Sequence, residues 1–169
     1  MSGMTEGVMP VLVLIGCAAG GCGGGAGEPF RGDVSGTIGG EAFTPTTAIA
    51  RNAQPPNDQF YALELQFSDA ALDCQRYLGS PRSPGEGRYA WVKVKQAVVG
   101  SSTGQTIDLT HLVRVDGTLM PKPGIGATDA AVTLSTVDAD RIDGTVGYTG
   151  NVGGQAYAFN GGFSLKRCR

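Results

Sequence analysis

Charged residues and histidine are scarce in this chain of 169 residues. Only 17% of the residues are charged, 13 basic against 15 acidic, and His111 is the sole histidine. No region of one sign is extensive enough to steer nucleic acid toward the chain, so nucleic-acid binding is disfavoured. One histidine beside cysteines that can bond to each other supplies too few ligands for zinc. We therefore expect neither a metal nor a cofactor.

The sequence also lacks the signatures of common catalytic sites. No Gly-x-Ser-x-Gly elbow is present, and on a strand Asp108 would lie on the opposite face from His111. The spacing of Asp138, Asp140 and Asp143 does not fit a calcium loop, because an apolar side chain occupies the fifth position. We expect no enzyme, and an uncharacterised hydrolase is the third alternative for the function.

The apolar run near the N-terminus is too short to span a bilayer. Val8 to Ala19 has 12 residues, whereas a membrane-spanning helix needs about 20. The small residues that end the run are typical of the cleavage site of an export signal. The basic residues expected before such a run are missing, since no Lys or Arg precedes Arg31. A wrongly assigned start codon would explain that departure.

Two cysteines follow the run, and each is a candidate for lipid attachment. Leu14 to Cys17 resembles the bacterial lipobox, in which the cysteine receives diacylglycerol, and Ala19 to Cys22 is a weaker match. The motif favours Cys17, which we prefer. The length of the apolar run and the number of cysteines favour Cys22. Residues 1–21 are predicted to be the signal segment, cleaved before one of these cysteines, and residues 22–30 a glycine-rich tether.

An export signal determines how the two remaining cysteines are interpreted. Lipid on Cys22 leaves Cys74 and Cys168 as a single pair, whereas lipid on Cys17 leaves Cys22 as an odd thiol. In an oxidising compartment Cys74 and Cys168 would form a disulfide that stabilises the fold by about 2–4 kcal/mol. We expect an exported lipoprotein of the outer membrane or cell surface, on the periplasmic or external face.

Residues 31–169 are predicted to form a single β domain. Short segments of alternating polarity are joined by Gly, Asn and Asp turns, and Gln59 to Phe67 is the clearest of them, with Leu63 and Leu65 on its apolar face. The expected fold is all-β, an antiparallel barrel or barrel-like sandwich of about eight to nine short strands with at most one short helix. Glycines inside the strands favour the barrel, because they can bend strands at corners.

Several local predictions follow from the order of residues. Gly39-Gly40 predicts a two-residue hairpin turn. Thr46 to Ala50 is predicted to be an edge strand because it follows a proline, and Ala70 to Cys74 a short helical turn. Gly100 to Gly104 is predicted to be a turn and Pro121 to Gly126 a long connection.

Aromatic residues and loops are the candidate contact surfaces. Trp91, the only tryptophan, lies beside Tyr89 on one face of a predicted strand. Such pairs pack within a sheet more often than they form a binding platform. Loops at 52–58, 79–87 and 121–126 carry prolines and glycines and are predicted to lie on the surface.

Three stretches of the chain carry a resemblance to a known group of proteins: Val34 to Phe43 with its paired glycines, the step from Phe67 through Ser-Asp to Cys74, and the ending Gly162 to Cys168. Together they resemble uncharacterised bacterial lipoproteins, myxobacterial ones especially. The resemblance covers most of the mature chain. It implies the lipid tether and the disulfide, and no activity.

These observations lead to one expected function and one rival. The expected function is that of a membrane-tethered exported lipoprotein with a non-catalytic binding or structural role in the cell envelope. Its expected partners are the membrane, through the anchor, and an envelope protein. The rival is a carrier of a small apolar ligand inside the barrel. The interior distinguishes them, because an open cavity favours the carrier and a packed core the surface binder.

Overall fold

The computed structural model describes residues 30–53, 60–72, 74 and 85–168. The all-β prediction is confirmed, but the described residues contain ten strands, and the last four, of 12 to 20 residues, are not short. The strands are β1 (Arg31–Gly32), β2 (Ser35–Ile38), β3 (Glu41–Phe43), β4 (Thr47–Asn52), β5 (Leu63–Ser68), β6 (Gly87–Val94), β7 (Gly100–Val115), β8 (Thr118–Val137), β9 (Arg141–Val152) and β10 (Gln155–Cys168).

Seven of these strands close into a barrel. The sheet runs β10-β4-β5-β6-β7-β8-β9, and β9 pairs again with β10. Neighbouring strands are antiparallel, except that β4 runs parallel to β10. Closure gives every strand of the ring two neighbours, which leaves no free edge around the barrel wall where the ring is complete. Of the two predicted architectures, the barrel is therefore the one that forms.

The three short N-terminal strands lie outside the ring: β1 and β2 pair with β10, and β3 pairs with β2. One side of β10 pairs with β9, and its other side pairs with β2, β1 and β4 in succession. The predicted hairpin between β2 and β3 is confirmed. Its turn residues Gly39 and Gly40 have φ of 62° and 82°, which glycine adopts without steric cost.

The barrel interior is filled with side chains. Phe67 lies at its centre, with ring centroids 5.0 Å from Phe159, 5.8 Å from Phe163 and 6.0 Å from Phe30. Phe43 stacks on Phe159 at 5.8 Å. Aliphatic side chains from all seven strands of the ring complete this core. The sequence left open whether the barrel encloses a cavity or a packed core, and the structure has a packed core.

Three local predictions are wrong. Thr46 to Ala50 is not an edge strand, because the distant β10 supplies β4 with a second neighbour. Gly100 to Gly104 and Pro121 to Gly126 belong to β7 and β8, which pair continuously, with register shifts, up to the turn at Asp116-Gly117. Proline is tolerated in this part of β8 because the strand pairs there with β7 only.

The predicted helical turn from Ala70 to Cys74 is borne out only at Cys74, which is helical; the backbone bends at Ala70 and is irregular through Leu72. Side chains of neighbouring strands hold this segment instead: the amide of Ala70 donates to Ser68 Oγ at 2.9 Å and the amide of Leu72 to Thr47 Oγ1 at 3.2 Å. These bonds replace the helical ones that a cap would have started.

Several predicted features lie outside the described residues. They are the signal segment 1–21 with Cys17 and Cys22, the tether up to residue 29, and most of the loops at 52–58 and 79–87. Within the ranges that the structure describes, no helix has the length and apolar character needed to cross a membrane.

Candidate functional site

Strand β5 is buried on both faces, which places a second layer outside the barrel. Leu63, Leu65 and Phe67 point into the core, as the alternation predicts. The opposite face was expected to be solvated, yet Glu64 is only 5% exposed and Gln66 only 1%. A single sheet with water outside cannot bury both faces. Another part of the chain must therefore cover β5.

The cover includes a segment that we call the outer strap, residues 69–72 with Cys74. Leu72 is fully buried on the outside of the barrel against Ile49, Tyr89 and Cys168. The predicted disulfide between Cys74 and Cys168 is present, with Cα atoms 5.1 Å apart. It ties the strap to the end of β10. The outer layer is thus a small apolar cluster fixed by a covalent bond.

An ion pair lies beneath this layer. Arg51 Nη2 is 2.9 Å from Glu64 Oε2, and the amide of Gln66 donates to the other carboxylate oxygen. Arg51 Nε and Gln66 Oε1 are buried and have no hydrogen-bond partner in the part of the chain that the structure describes. Because all three side chains are engaged with one another and Glu64 is nearly inaccessible, this network serves the packing of β4 on β5.

The aromatic pair identified in the sequence lies at the border of the outer layer. Tyr89 and Trp91 stack with centroids 5.3 Å apart and planes inclined by 11°. Tyr89 is buried in the outer cluster, and its hydroxyl donates to Gly85 O at 2.9 Å. Trp91 is only half-buried. The packing interpretation therefore holds for Tyr89, whereas Trp91 also faces solvent.

An open groove of about 510 Å³ begins at Trp91 and runs across β7 to β8. Two glycines of β8 keep it open. A Cβ on Gly124 would lie 2.5 Å from Leu109 O, and one on Gly126 would lie 2.7 Å from Asp108 Oδ1. The groove is lined by Trp91, Asp108, Leu109, Thr110, Leu112, Pro121, Lys122, Gly124 and Ile125. We call it the outer groove.

Asp108 is the half-buried carboxylate of the outer groove. It lies directly across from Trp91 in the pairing of β6 with β7. Burial raises the pKa of the Asp108 carboxyl above its usual value, Lys93 opposes the rise and Glu64 adds to it. No side chain or amide of the described residues hydrogen-bonds to this carboxylate. Its capacity to accept hydrogen bonds is therefore available to a ligand.

His111 does not join Asp108. His111 pairs with Arg88 of β6, and Asp108 pairs with Trp91, in an unbroken register. The two residues are three positions apart, so their side chains point to opposite faces of β7. This is the arrangement expected from the sequence. Among the described residues, no serine hydrogen-bonds to His111.

A second groove, of about 520 Å³, lies where β1 meets β9 and β10. Its two carboxylates are already engaged. Asp33 accepts from the amide of Gly162 at 2.5 Å, and Asp143 accepts from Arg141 Nε at 2.7 Å. The hydrogen bond from Arg141 lowers the pKa of Asp143. This groove therefore offers a ligand fewer free polar groups than the outer groove does.

Three comparisons found no match for this chain, whether among protein-family models, curated proteins or solved structures. Among the described residues, no three or more His, Cys, Asp or Glu side chains converge as metal ligands. From the sequence, Asp108 was predicted only to lie on the strand face opposite His111. Its position across from Trp91 depends on the register of β6 with β7, for which the sequence carries no signal.

Proposed function

We propose that this protein is an exported, lipid-anchored β-barrel module that binds its ligand without catalysis, in the outer groove. The observation that carries the proposal is the half-buried carboxylate of Asp108, which accepts no hydrogen bond from the described residues and lies across from Trp91 in a groove that Gly124 and Gly126 keep open. A carboxylate in such a groove can accept hydrogen bonds from a ligand that displaces water.

The packed interior supports a surface site over a carrier. Phe43, Phe67, Phe159 and Phe163 occupy the barrel centre, and each is at most 5% exposed. A carrier of this strand number needs space that these rings fill. The outer groove instead has the size of many small-molecule sites, about 300–1,000 Å³.

The anchor and the compartment are supported by the sequence and by the disulfide. Leu14 to Cys17 resembles a lipobox, with Cys22 as the alternative site. The Cys74–Cys168 bond suits an oxidising compartment such as the periplasm or the cell surface. On this proposal the protein faces the periplasm or the exterior and reaches its ligand from the membrane.

Chemical-shift mapping tests the site. The ¹⁵N-labelled protein is titrated with 1-octanol, butylammonium chloride and maltotriose, which represent apolar, cationic and neutral polyhydroxyl ligands. We expect one of them to move the Trp91 indole resonance, which is unique in the chain, together with Thr110 and Gly124. Shifts confined to core residues such as Leu65 and Phe159 would instead indicate a carrier and contradict the proposal.

A pair of glycine variants provides the control. Gly126→Ala places a methyl group against the carboxylate of Asp108. Gly147→Ala adds the same group on β9, away from the groove, where it lies 3.6 Å from Asn160 Oδ1. We expect the first to abolish the shifts and the second to preserve them. Equal shifts in both variants would place the ligand elsewhere.

A further inference from the structure

The outer groove is amphipathic across its width. Leu112, Pro121 and Ile125 supply apolar wall, whereas Asp108 and Thr110 supply polar groups. A ligand that fits must have an apolar surface and several hydrogen-bonding groups close together. Fatty chains lack the second property and small ions lack the first.

Trp91 is held rigidly at one end of the groove. Tyr89 stacks on one face of the indole, and Tyr89 is itself fixed by burial and by its hydrogen bond to Gly85. The rest of the Trp91 indole lines the groove, and its orientation is fixed before a ligand binds. Preorganised aromatic groups lose little entropy when a flat apolar surface stacks on them.

The charges around Asp108 favour a neutral ligand. Lys93 already acts on the carboxylate as a positive charge, and Lys122 lines the groove. A cationic ligand would be repelled by both lysines, and an anionic one by Asp108 and by Glu64 behind it. A neutral donor avoids both costs.

Hydroxyl groups are the donors that suit this carboxylate. An ionised Asp accepts up to about four hydrogen bonds, and adjacent hydroxyls can donate to both of its oxygens. Hydrogen bonds to an ionised acceptor are roughly twice as strong as those between neutral groups. The hydroxyl of Thr110, which both donates and accepts, and the ammonium of Lys122 complete a set of polar partners around the groove.

We propose that the outer groove binds a neutral saccharide, with one sugar ring packed against Trp91 and its hydroxyls donating to Asp108. This inference rests on the proposed function, because it names the ligand class of the same groove. A sugar ring combines an apolar C–H face with a rim of hydroxyls, as the groove requires. The source is either a free oligosaccharide or a neutral glycan of the cell envelope.

Binding is tested on the lipidated mature protein in detergent, by Trp91 fluorescence and calorimetry. The probes are maltotriose, cellotriose and chitotriose as neutral saccharides, with butylammonium and glucuronate as charged probes. We expect at least one neutral saccharide to bind and both charged probes to fail. Comparison of that trisaccharide with purified envelope polysaccharide distinguishes the two sources, since the tighter ligand identifies the natural one.

Two matched variants locate the carboxylate contact. Asp108→Asn removes the charge from the groove, and Asp129→Asn makes the same change at an exposed position of β8. We expect saccharide affinity to fall about tenfold for the first, as a charge-assisted bond becomes a neutral one, and to stay unchanged for the second. Equal affinity in both variants would overturn the role of Asp108.

The failures of the two proposals are distinguishable. If butylammonium or 1-octanol binds at Trp91 and no neutral saccharide does, including those of an immobilised glycan array, the saccharide inference is wrong and the groove remains a binding site. If no probe of any class perturbs the groove, both proposals are wrong.

Discussion

Removal of the Cys74–Cys168 disulfide is expected to cost a large share of the stability of this domain. The bond joins residues 94 positions apart. The chain-entropy relation for a loop of that length gives about 4.7 kcal/mol at 25 °C. A domain of this size is typically stable by about 5–15 kcal/mol in total. The double variant Cys74→Ala/Cys168→Ala should therefore be less stable by about 2–5 kcal/mol.

The folded state also loses contacts when the bond is removed. Cys168 is only 3% exposed and belongs to the outer cluster with Leu72 and Tyr89. Release of Cys74 frees the outer strap, which then depends on the hydrogen bonds that its amides donate to Ser68 and Thr47. These losses add to the entropic cost, whereas residual structure in the unfolded chain reduces it.

Urea unfolding followed by Trp91 fluorescence and circular dichroism measures the effect. The oxidised protein, the reduced and alkylated protein, and the double variant are compared. The last two should share a lower midpoint and a steeper denaturant dependence, because the unfolded chain without the bond exposes more surface. A change below about 1 kcal/mol with an unchanged slope would refute the reasoning, since it would mean that the loop is not closed by this bond.

Three further predictions concern the barrel and its outer layer. Glu64→Gln should lower the free energy of unfolding by about 2–4 kcal/mol. The loss should be smaller than for breaking a fully buried ion pair, because the Arg51 side chain keeps 22% exposure. The double variant Arg51→Met/Glu64→Met should recover most of that loss in urea unfolding. Recovery near zero would contradict the ion-pair account. Asp108→Asn should stabilise the protein at pH 7, because the raised pKa of Asp108 makes the folded state bind more protons than the unfolded state between the usual value of 3.8 and the raised one. The free energy of unfolding of the natural protein thus falls as the pH rises through that window, and below the window the natural protein and Asp108→Asn should be equally stable. A stability difference that persists below the window would contradict this prediction. Gly36→Ala should destabilise by at least about 1–3 kcal/mol, because a Cβ there would overlap the backbone at Ala158; unchanged thermal unfolding would show that β2 does not pair with β10 as described.

The features that depend on local sequence were predictable. The alternation in β5 fixes which side chains enter the core, and Gly39-Gly40 fixes the first hairpin. In both cases the residues within a few positions determine the backbone, through the two-residue period of a strand or the steric freedom of glycine.

The features that depend on distant partners were not predictable. Thr46 to Ala50 resembles an edge strand until β10, more than 100 residues later, pairs with it. Prolines and glycines in Pro121 to Gly126 would end most strands, but β8 continues because only one of its sides is paired there. Local propensity loses to tertiary pairing at such positions.

The candidate site shows the same division. Trp91 was predicted to lie beside Tyr89 on one face of a strand, whereas the burial of Glu64 and Gln66 was missed because it depends on parts of the chain distant in sequence. The outer groove requires Asp108 to lie across from Trp91, which follows from the register of β6 with β7 and the small size of Gly126.

Export with a lipid anchor is the central claim about this protein, because its compartment and its access to envelope ligands both depend on it. The most direct test is the intact mass of the protein extracted from its native membrane fraction, with thiol alkylation before and after reduction. The account predicts a diacylated chain that begins at Cys17 or Cys22, with Cys74 and Cys168 labelled only after reduction. An unlipidated full-length chain with all four cysteines freely labelled would contradict it and place the protein in the cytoplasm.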